Sequence, residues 1–418
     1  MPSPPLMPEL PGIPPALVAA LRRAAQGDRL ALVGGAVRDW LRHQVHNDPW
    51  RGVPDLDLVV EGAPAAAQRL ARALRASLRD ADLPGYQEHA AYGTVELELL
   101  WEGHPLLLDV ASARLETYPV PGENPVVRFG RLEDDLARRD FTINAMALEL
   151  GADRHGALCD PHGGRADLEQ RLLRFLHADS VRDDPTRVVR GARYAARLGF
   201  RLAPESLLQL RDTLAAWPWA WRPGDPAGAA PPALGTRLRM ECELLLEREA
   251  WPRALAALQD WGALPLLDGA LQTDRHWRRR LHWATRLGVP LLPALLAGAS
   301  DPLAMAERLQ LPHRQHRLLA QFVELRGRLG GATPSPQAVA AWCAWLEVPG
   351  GSADAVALAL ASGLGPRRPL LRWWLRWRHL RGERSAADLM GSEGLRPGPE
   401  LGERLRQLRA ERLAQERA

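Results

Sequence analysis

Apolar and polar positions along this chain follow two patterns, one before about residue 150 and one after it. Leu30 to Val33 is an apolar run of strand length, closed by Gly34-Gly35, and Arg38-Asp39 sits in the first turns of a helix. A polar loop then leads to Asp55-Leu56-Asp57 and a second apolar run, Leu58 to Val60. Residues Gly93 to Leu99 alternate apolar and polar with period two, and Pro105 to Ala111 read as another strand. The turn at Glu102-Gly103-His104 makes these two a hairpin. Ala16–Ala25 and Ala65–Leu78 have helical spacing, while the dense apolar stretch Phe141–Leu150 fits either a strand or a helix.

After Asp160 helical periodicity dominates, with helices expected at Leu234–Glu247, Pro252–Trp261 and Arg275–Leu287 and no fixed repeat. The expected architecture is α+β. A Pro-rich arm (1–15) precedes a small mixed sheet with helices (16–150), then a helical segment (151–250) and a second helical segment (251–418). The low-complexity stretch 217–232, WPWAWRPGDPAGAAPP, reads as a flexible insertion without one fixed structure.

Candidate chemistry lies mainly in the first pattern. Alternation puts Asp55 and Asp57 on one strand face and Leu56 on the other, so the two carboxylates can share a divalent metal. A strand, a Gly-Gly turn and a helix start leave backbone N–H groups free to face phosphate oxygens. Leu106-Leu107-Leu108-Asp109 ends an apolar strand on a carboxylate, a candidate third ligand near the attacking oxygen. In Asp135-Leu136-Ala137-Arg138-Arg139-Asp140-Phe141, Arg139 suits a triphosphate as a forked donor, Asp140 and Asn144 lock the local backbone, and Arg138 reads as a surface arginine. Asp48, Asp80 and Asp82 read as solvated loop residues, and Asp160–Leu168 as a joint between head and helices.

Asp184 stands one turn before Arg187, Arg190 and Arg193, which share a broad helical face. By itself this fits an acidic helix cap with a solvated basic face. The basic, tryptophan-rich stretches Arg275–Arg280 and Arg367–Arg381 fit either an RNA-backbone surface or helices whose Trp373, Trp374 and Trp377 pack inward; helical spacing favours the second.

Composition changes this picture little. Across 418 residues there are 54 basic residues, all arginine, against 50 acidic ones, and the net charge of +4 is too small to establish a polyanionic partner. Three widely separated cysteines form no CxxC pair, so neither zinc nor a disulfide framework is indicated and a reducing cytoplasm fits. The N-terminus lacks the pattern of a signal peptide, and no window approaches a membrane span.

In order, the segments GGAVRD with DLD, LLLDVASARLETY, DLARRDFTINAMAL, DPHGGRADL, RDDPTRVVRGARYAARLGF and TRLRMECELLL resemble the class II RNA nucleotidyltransferases, a family of CCA-adding tRNA nucleotidyltransferases and bacterial poly(A) polymerases. ADLMGSEGLRPGPELGERL is similar to the tail of the same family. The resemblance implies a polymerase-β-like head followed by a helical neck, body and tail, Mg²⁺ as cofactor, CTP and ATP as substrates, and the tRNA 3′ acceptor end as partner. It implies that Asp55 and Asp57 hold Mg²⁺ and that Asp109 is the third catalytic carboxylate. Gly34, Gly35, Arg38 and Arg139 would contact triphosphate and sugar. Asp184 and Arg187 would read the incoming base, Arg190 and Arg193 would support the nucleotide, and Arg237 with Glu241 would steady the base-reading helix. A carboxylate accepts from the exocyclic amine of C or A and repels the carbonyl of U or G, while an arginine donates to the neighbouring ring nitrogen.

The chain departs from the family pattern in a longer loop between Asp39 and Asp55, in Asp183 where Glu is commoner, and in the 217–232 stretch. No His-Asp dipeptide occurs, so the phosphohydrolase domain of some relatives is not expected. Full CCA addition, CC-only addition and polyadenylation stay open, with a non-catalytic RNA-binding scaffold as the alternative outside enzymes.

Overall fold

The computed structural model describes residues 13–49, 52, 55–89, 93–151 and 156–416; most of the Pro-rich arm, and residues 50, 51, 53 and 54 of the long loop, lie outside them. The chain divides into two compact units. One comprises the chain to Ala220 with Pro231–Ala233 and Glu249–Ala263; the other comprises Trp221–Ala230, Leu234–Arg248 and Leu264 onward.

The first unit is built on a seven-stranded sheet. Its strands are β1 (Arg29–Val33), β2 (Asp55–Glu61), β3 (Gly85–His89), β4 (Thr94–Trp101), β5 (His104–Ser112), and, after a separate hairpin of β6 (Arg114–Thr117) and β7 (Val126–Phe129), β8 (Ala147–Glu149) and β9 (Leu158–Cys159). The spatial order is β3-β4-β5-β2-β1-β8-β9. Only β2 and β5 run parallel within it. The β4–β5 hairpin turns on Glu102 and Gly103, both at positive φ (51° and 82°), as a two-residue turn with the twist of the strands requires. The ambiguous apolar stretch resolves into a 3₁₀ turn at Thr142–Asn144 and the strand β8.

The two sheet faces have different covers. Helix α1 (Pro15–Ala25) packs on α3 (Ala66–Ala76), and α3 packs across β2, β4 and β5. On the opposite face Ala31, Val33 and Val59 meet Leu132 and Leu136 of α4 (Leu132–Ala137), together with Ala145 and Ala147. Val59 lies two residues beyond Asp57, so the face that carries the carboxylates is roofed by α4 further along the same strand. Helix α2 (Gly35–His46) follows β1 directly. Asp48, expected to be a solvated loop residue, instead pairs with Arg42 at 2.7 Å and Arg171 at 3.5 Å.

The sequence places a boundary near residue 150, but the fold has none there. Helix α5 (Gly164–Glu169) presses on the Thr142 turn, and its buried Asp167 accepts from Thr142 Oγ1 (2.7 Å) and from Arg174 Nε (3.1 Å). Buried polar groups paired this way bind head and helices into one core. Then follow α6 (Ser180–Asp183), α7 (Thr186–Leu198) and α8 (Pro204–Ala216); further on, α9 (Thr236–Arg248) falls in the second unit and α10 (Trp251–Trp261) returns to pack on α7.

The stretch 217–232 also departs from expectation. Trp219 and Trp221 are buried, at 2% and 6% exposure. Trp219 Nε1 donates to the Arg182 carbonyl at 3.0 Å, and a short 3₁₀ turn forms at Ala227–Ala229. Two large aromatic side chains removed from water order a segment whose composition suggested none. The second unit is helical throughout its described residues. Trp373 and Trp377 are in its core, while Trp374 is half-buried beneath the Arg378 guanidinium.

Candidate active site

Parallel pairing of β2 with β5 sets Asp57 directly beside Asp109, and Asp55 lies one repeat along the same face. Asp109 also faces Glu96 across β4. Three acidic side chains on one patch of sheet repel one another. Burial, then Asp55, pushes the Asp57 carboxyl above the ordinary range, against the pull of Arg139 and Arg38. Burial, then Asp57, Glu96 and Asp55, does the same to Asp109. Asp109 Oδ1 is buried without a hydrogen-bond partner. An anionic cluster whose carboxyls stay raised despite nearby cationic groups suits a cation. Among the described residues, no three His, Cys, Asp or Glu side chains are already closed around one point as a metal cage.

The turn from β1 into α2 borders this patch. Gly34 holds φ 71° and ψ −137°, and a Cβ there would lie 2.9 Å from Asp57 Oδ2 and 3.3 Å from Arg139 Nη1. No side chain caps α2, so the first backbone N–H groups after Gly34 are presented beside the carboxylates. The Gly34→Ala protein should therefore lose about 1–3 kcal/mol of stability from backbone strain. It should also bind nucleotide more weakly, because Asp57 and Arg139 must move. Urea melts read the first effect and nucleotide titration the second; a variant equal to the parent in both refutes the close packing at this turn.

Arg139 approaches from the segment after α4, its Nη2 held by the fully buried Asp135 at 3.0 Å. Arg138, expected on the surface, is half-buried: its Nε and Nη2 donate to Asp135 Oδ1 (2.9 and 2.8 Å) and its Nη1 to Glu116 (3.1 Å). The physical reason is helical spacing, which sets Asp135 against residues three and four positions on. Arg38, by contrast, turns inward. It donates to both Asp39 oxygens and to Asn144 Oδ1 (2.8 Å), and lies 5.4 Å from the Tyr194 ring centroid, so it braces the site from behind. Asp140 accepts from the Phe141 N–H (2.8 Å), Asn144 Nδ2 (2.9 Å) and Arg190 Nη1 (3.3 Å).

Helix α7 backs onto this segment. A side chain at Gly191 would meet the Phe141 ring at 2.8 Å, a close approach that only glycine permits. The helix thereby brings Arg187 within reach of Arg138. Arg187 is buried; its Nη2 donates to the Arg138 carbonyl (2.9 Å) and its Nη1 to the Ser180 carbonyl (3.3 Å), with His177 Nε2 also at 3.3 Å. Asp184 is buried as well, its Oδ1 accepting from the Thr186 N–H (3.1 Å) and hydroxyl (2.5 Å). Both side chains of the expected base-reading pair are thus held by protein partners here. Arg193 pairs with Glu249 at 3.5 Å. Arg237 and Glu241 lie on α9, in the second unit.

The structure therefore joins Asp55, Asp57, Asp109, Gly34 and Arg139 at one edge, and Arg38, Asp140, Asn144 and Arg190 behind it. Residues that the sequence reading passed over complete the network: Glu116, Tyr118, Asp135, His177 and Tyr194. Asp135 was legible from its spacing to Arg138 and Arg139; the others come from distant segments and leave no local signal.

Comparison with known proteins agrees with this geometry. Residues 30–174 match the model of the poly A polymerase head domain. The chain is 39% identical over 305 residues to a CC-adding tRNA nucleotidyltransferase of Deinococcus radiodurans, covering 72% of each chain. It is 31% identical over 423 residues to a CC-adding tRNA nucleotidyltransferase of Geobacter sulfurreducens, covering 95% of this chain and 90% of that one. In fold it resembles a solved CCA-adding enzyme in an apo form, with a TM-score of 0.70 at 23% identity over 97% of this chain and 93% of the other. Identity at this level along nearly the whole length, with the carboxylate edge set in a matching head, means that the chain belongs to the tRNA nucleotidyltransferase family.

Proposed function

We propose that this enzyme adds CMP, and in the fuller reading also AMP, from CTP and ATP to the 3′ end of tRNA with Mg²⁺, and that it works in the cytoplasm. The observation that carries the reading is the Asp55–Asp57–Asp109 edge beside the uncapped start of α2. In the reaction the RNA 3′ oxygen bonds to the α-phosphorus, the bond to the bridging oxygen breaks, and pyrophosphate leaves. Asp109, whose carboxyl burial and Asp57 raise above the ordinary carboxylate range, is placed to take the hydroxyl proton. The N–H groups at the start of α2 and the Arg139 fork hold the triphosphate. Asp55 and Asp57 would hold a divalent cation, which stabilises charge on the phosphoryl oxygens. The orphaned Asp109 oxygen and the raised carboxyls support this fit. A scaffold without catalysis would have no use for a buried anionic cluster that costs stability.

CC addition is the subtype we favour, because two relatives matched over most of their length carry that name. Three free cysteines suit a reducing compartment. The deciding experiment incubates a tRNA transcript lacking CCA with each nucleotide and sequences the product. Two added cytidines support the favoured subtype, CCA the fuller one, and a run of adenosines polyadenylation; no addition defeats the enzymatic reading.

Binding to tRNA should follow backbone and shape, with the logarithm of affinity falling linearly with the logarithm of salt. Filter binding across a salt series checks it. Equal affinity for unstructured RNA of the same length contradicts acceptor-end recognition.

A further inference from the structure

Resting on the reading just given, we infer that Tyr118, held by Glu116, is a specificity-determining positioning residue: it sets the place of Arg187 relative to the catalytic edge. Tyr118 and Glu116 belong to the segment that follows β5, only a few residues beyond Asp109. Glu116 is nearly buried, with its side chain 9% exposed, and ties three groups together. It accepts from Arg114 Nε (3.1 Å) and from Arg138 Nη1 (3.1 Å) through Oε1, and from the Tyr118 hydroxyl (3.1 Å) through Oε2. The Tyr118 ring then lies 5.9 Å from the Arg187 guanidinium, whose Nη2 also donates to the Arg138 carbonyl at 2.9 Å.

Arg187 is thus gripped twice by one bracket, from the ring and from the backbone of the residue that Glu116 fixes. Through Arg138 the bracket continues to buried Asp135, from there to Arg139, and so to Gly34 and Asp57. A line of charge-assisted hydrogen bonds therefore runs from Arg187 through Arg138 and Asp135 to Arg139, which borders Gly34 together with Asp57. Such bonds are short, directional and costly to break when buried. An aromatic face under a guanidinium restrains its plane while leaving its edge N–H groups directed outward. A base edge is read by a fork in one plane, so fixing that plane separates a cytosine ring nitrogen from a uracil N–H.

The test measures kcat and KM for CTP and UTP on one tRNA primer, with the full chain and three variants. Tyr118→Leu removes the ring. It should lower the CTP-to-UTP ratio of kcat/KM by about tenfold, mainly through a higher KM for CTP, the size expected for an aromatic–guanidinium contact. Tyr118→Phe keeps the ring but loses its bond to Glu116, so its ratio should fall between those of the leucine variant and the parent. Glu116→Gln loosens both Tyr118 and Arg138 and should lower the ratio in the same direction, which keeps the test decisive if the leucine variant does not fold. An unchanged ratio in Tyr118→Leu and Glu116→Gln overturns the inference. So does an equal loss for both nucleotides with a lower melting temperature, which marks a structural role alone. A parent chain that adds no nucleotide overturns the functional reading first, and this inference with it.

Discussion

The Asp57→Asn enzyme is expected to lose nucleotide addition by about a thousandfold and yet to melt at a higher temperature than the parent when no metal is present. The first effect follows from losing one of two carboxylates offered to a cation whose charge stabilisation is worth several kcal/mol; about 4 kcal/mol is a thousandfold in rate. Asp55→Ala should fail in the same way. The second effect follows from the carboxyl itself. Burial and Asp55 raise its proton affinity in the folded chain. Between the ordinary carboxylate value and the raised one, the folded state binds more protons than the unfolded state, so stability falls as pH rises through that window. Above that window the deficit is fully present, and an asparagine removes it. Arg139 keeps its partner Asp135 in the variant, so no new buried charge is left unpaired.

A divalent cation should offset the same deficit in the parent. Mg²⁺ should therefore raise the parent's melting temperature at pH 7 and do so less at lower pH, as the Asp57 and Asp109 carboxyls, raised above the ordinary range, take up protons. It should have little effect on Asp57→Asn at either pH. Calorimetry with and without Mg²⁺, paired with a turnover assay, reads both halves. Near-normal turnover in the folded variant removes the metal-ligand assignment, and so does a Mg²⁺ shift of equal size in both proteins.

Asp184→Ala should lose about ten- to a hundredfold in kcat/KM for CTP and ATP and much less for UTP. A charge-assisted hydrogen bond to the exocyclic amine is worth about 1.5–3 kcal/mol, and each 1.4 kcal/mol is tenfold. UTP offers a carbonyl there, which the carboxylate repels, so removing the carboxylate takes nothing from it. The structure adds a second cost. Asp184 Oδ1 receives the Thr186 N–H and hydroxyl at the entry to α7, and losing such a cap costs about 0.5–2 kcal/mol of stability. Asp184→Asn separates the two roles, because its amide oxygen can still serve Thr186. If Asp184 reads the base, both variants narrow the selectivity between nucleotides. If it only caps the helix, Asp184→Ala lowers stability, Asp184→Asn does not, and the CTP, ATP and UTP ratios match the parent in both. Base reading also requires Arg187 to exchange one of its present partners, the Ser180 carbonyl or His177, for the base edge.

Much of the head was legible along the chain because its signals are local. Period-two alternation placed Asp55 and Asp57 on one face, and the Gly-Gly turn followed from an apolar run of strand length. The Glu102-Gly103 hairpin was legible for the same reason: two residues at positive φ between alternating runs allow few other conformations. The spacing of Asp135 to Arg138 and Arg139 was local too, but reading Arg138 as a surface residue missed it. A charged side chain's burial depends on what lies opposite it, and Glu116 arrives from another strand. The 217–232 stretch misled for a related reason. Gly, Pro and Ala content describes backbone freedom, whereas order there comes from burying Trp219 and Trp221.

By itself the sequence determined β1, β2, β4, β5 and the helices beside them, the shared face of the first carboxylate pair, the apolar helical character of the remainder, and, through the order of its motifs, the family. Tertiary structure alone decided that β2 and β5 run parallel in the register that sets Asp109 beside Asp57. It alone turned Arg38 and Arg187 inward, divided the helical neck between two units, and joined Tyr118 and Glu116 to the site. The reason is range. Propensity and periodicity act over a few residues, whereas register, burial of charge and the choice of hydrogen-bond partner are settled by segments tens of residues apart that meet only when the chain has folded.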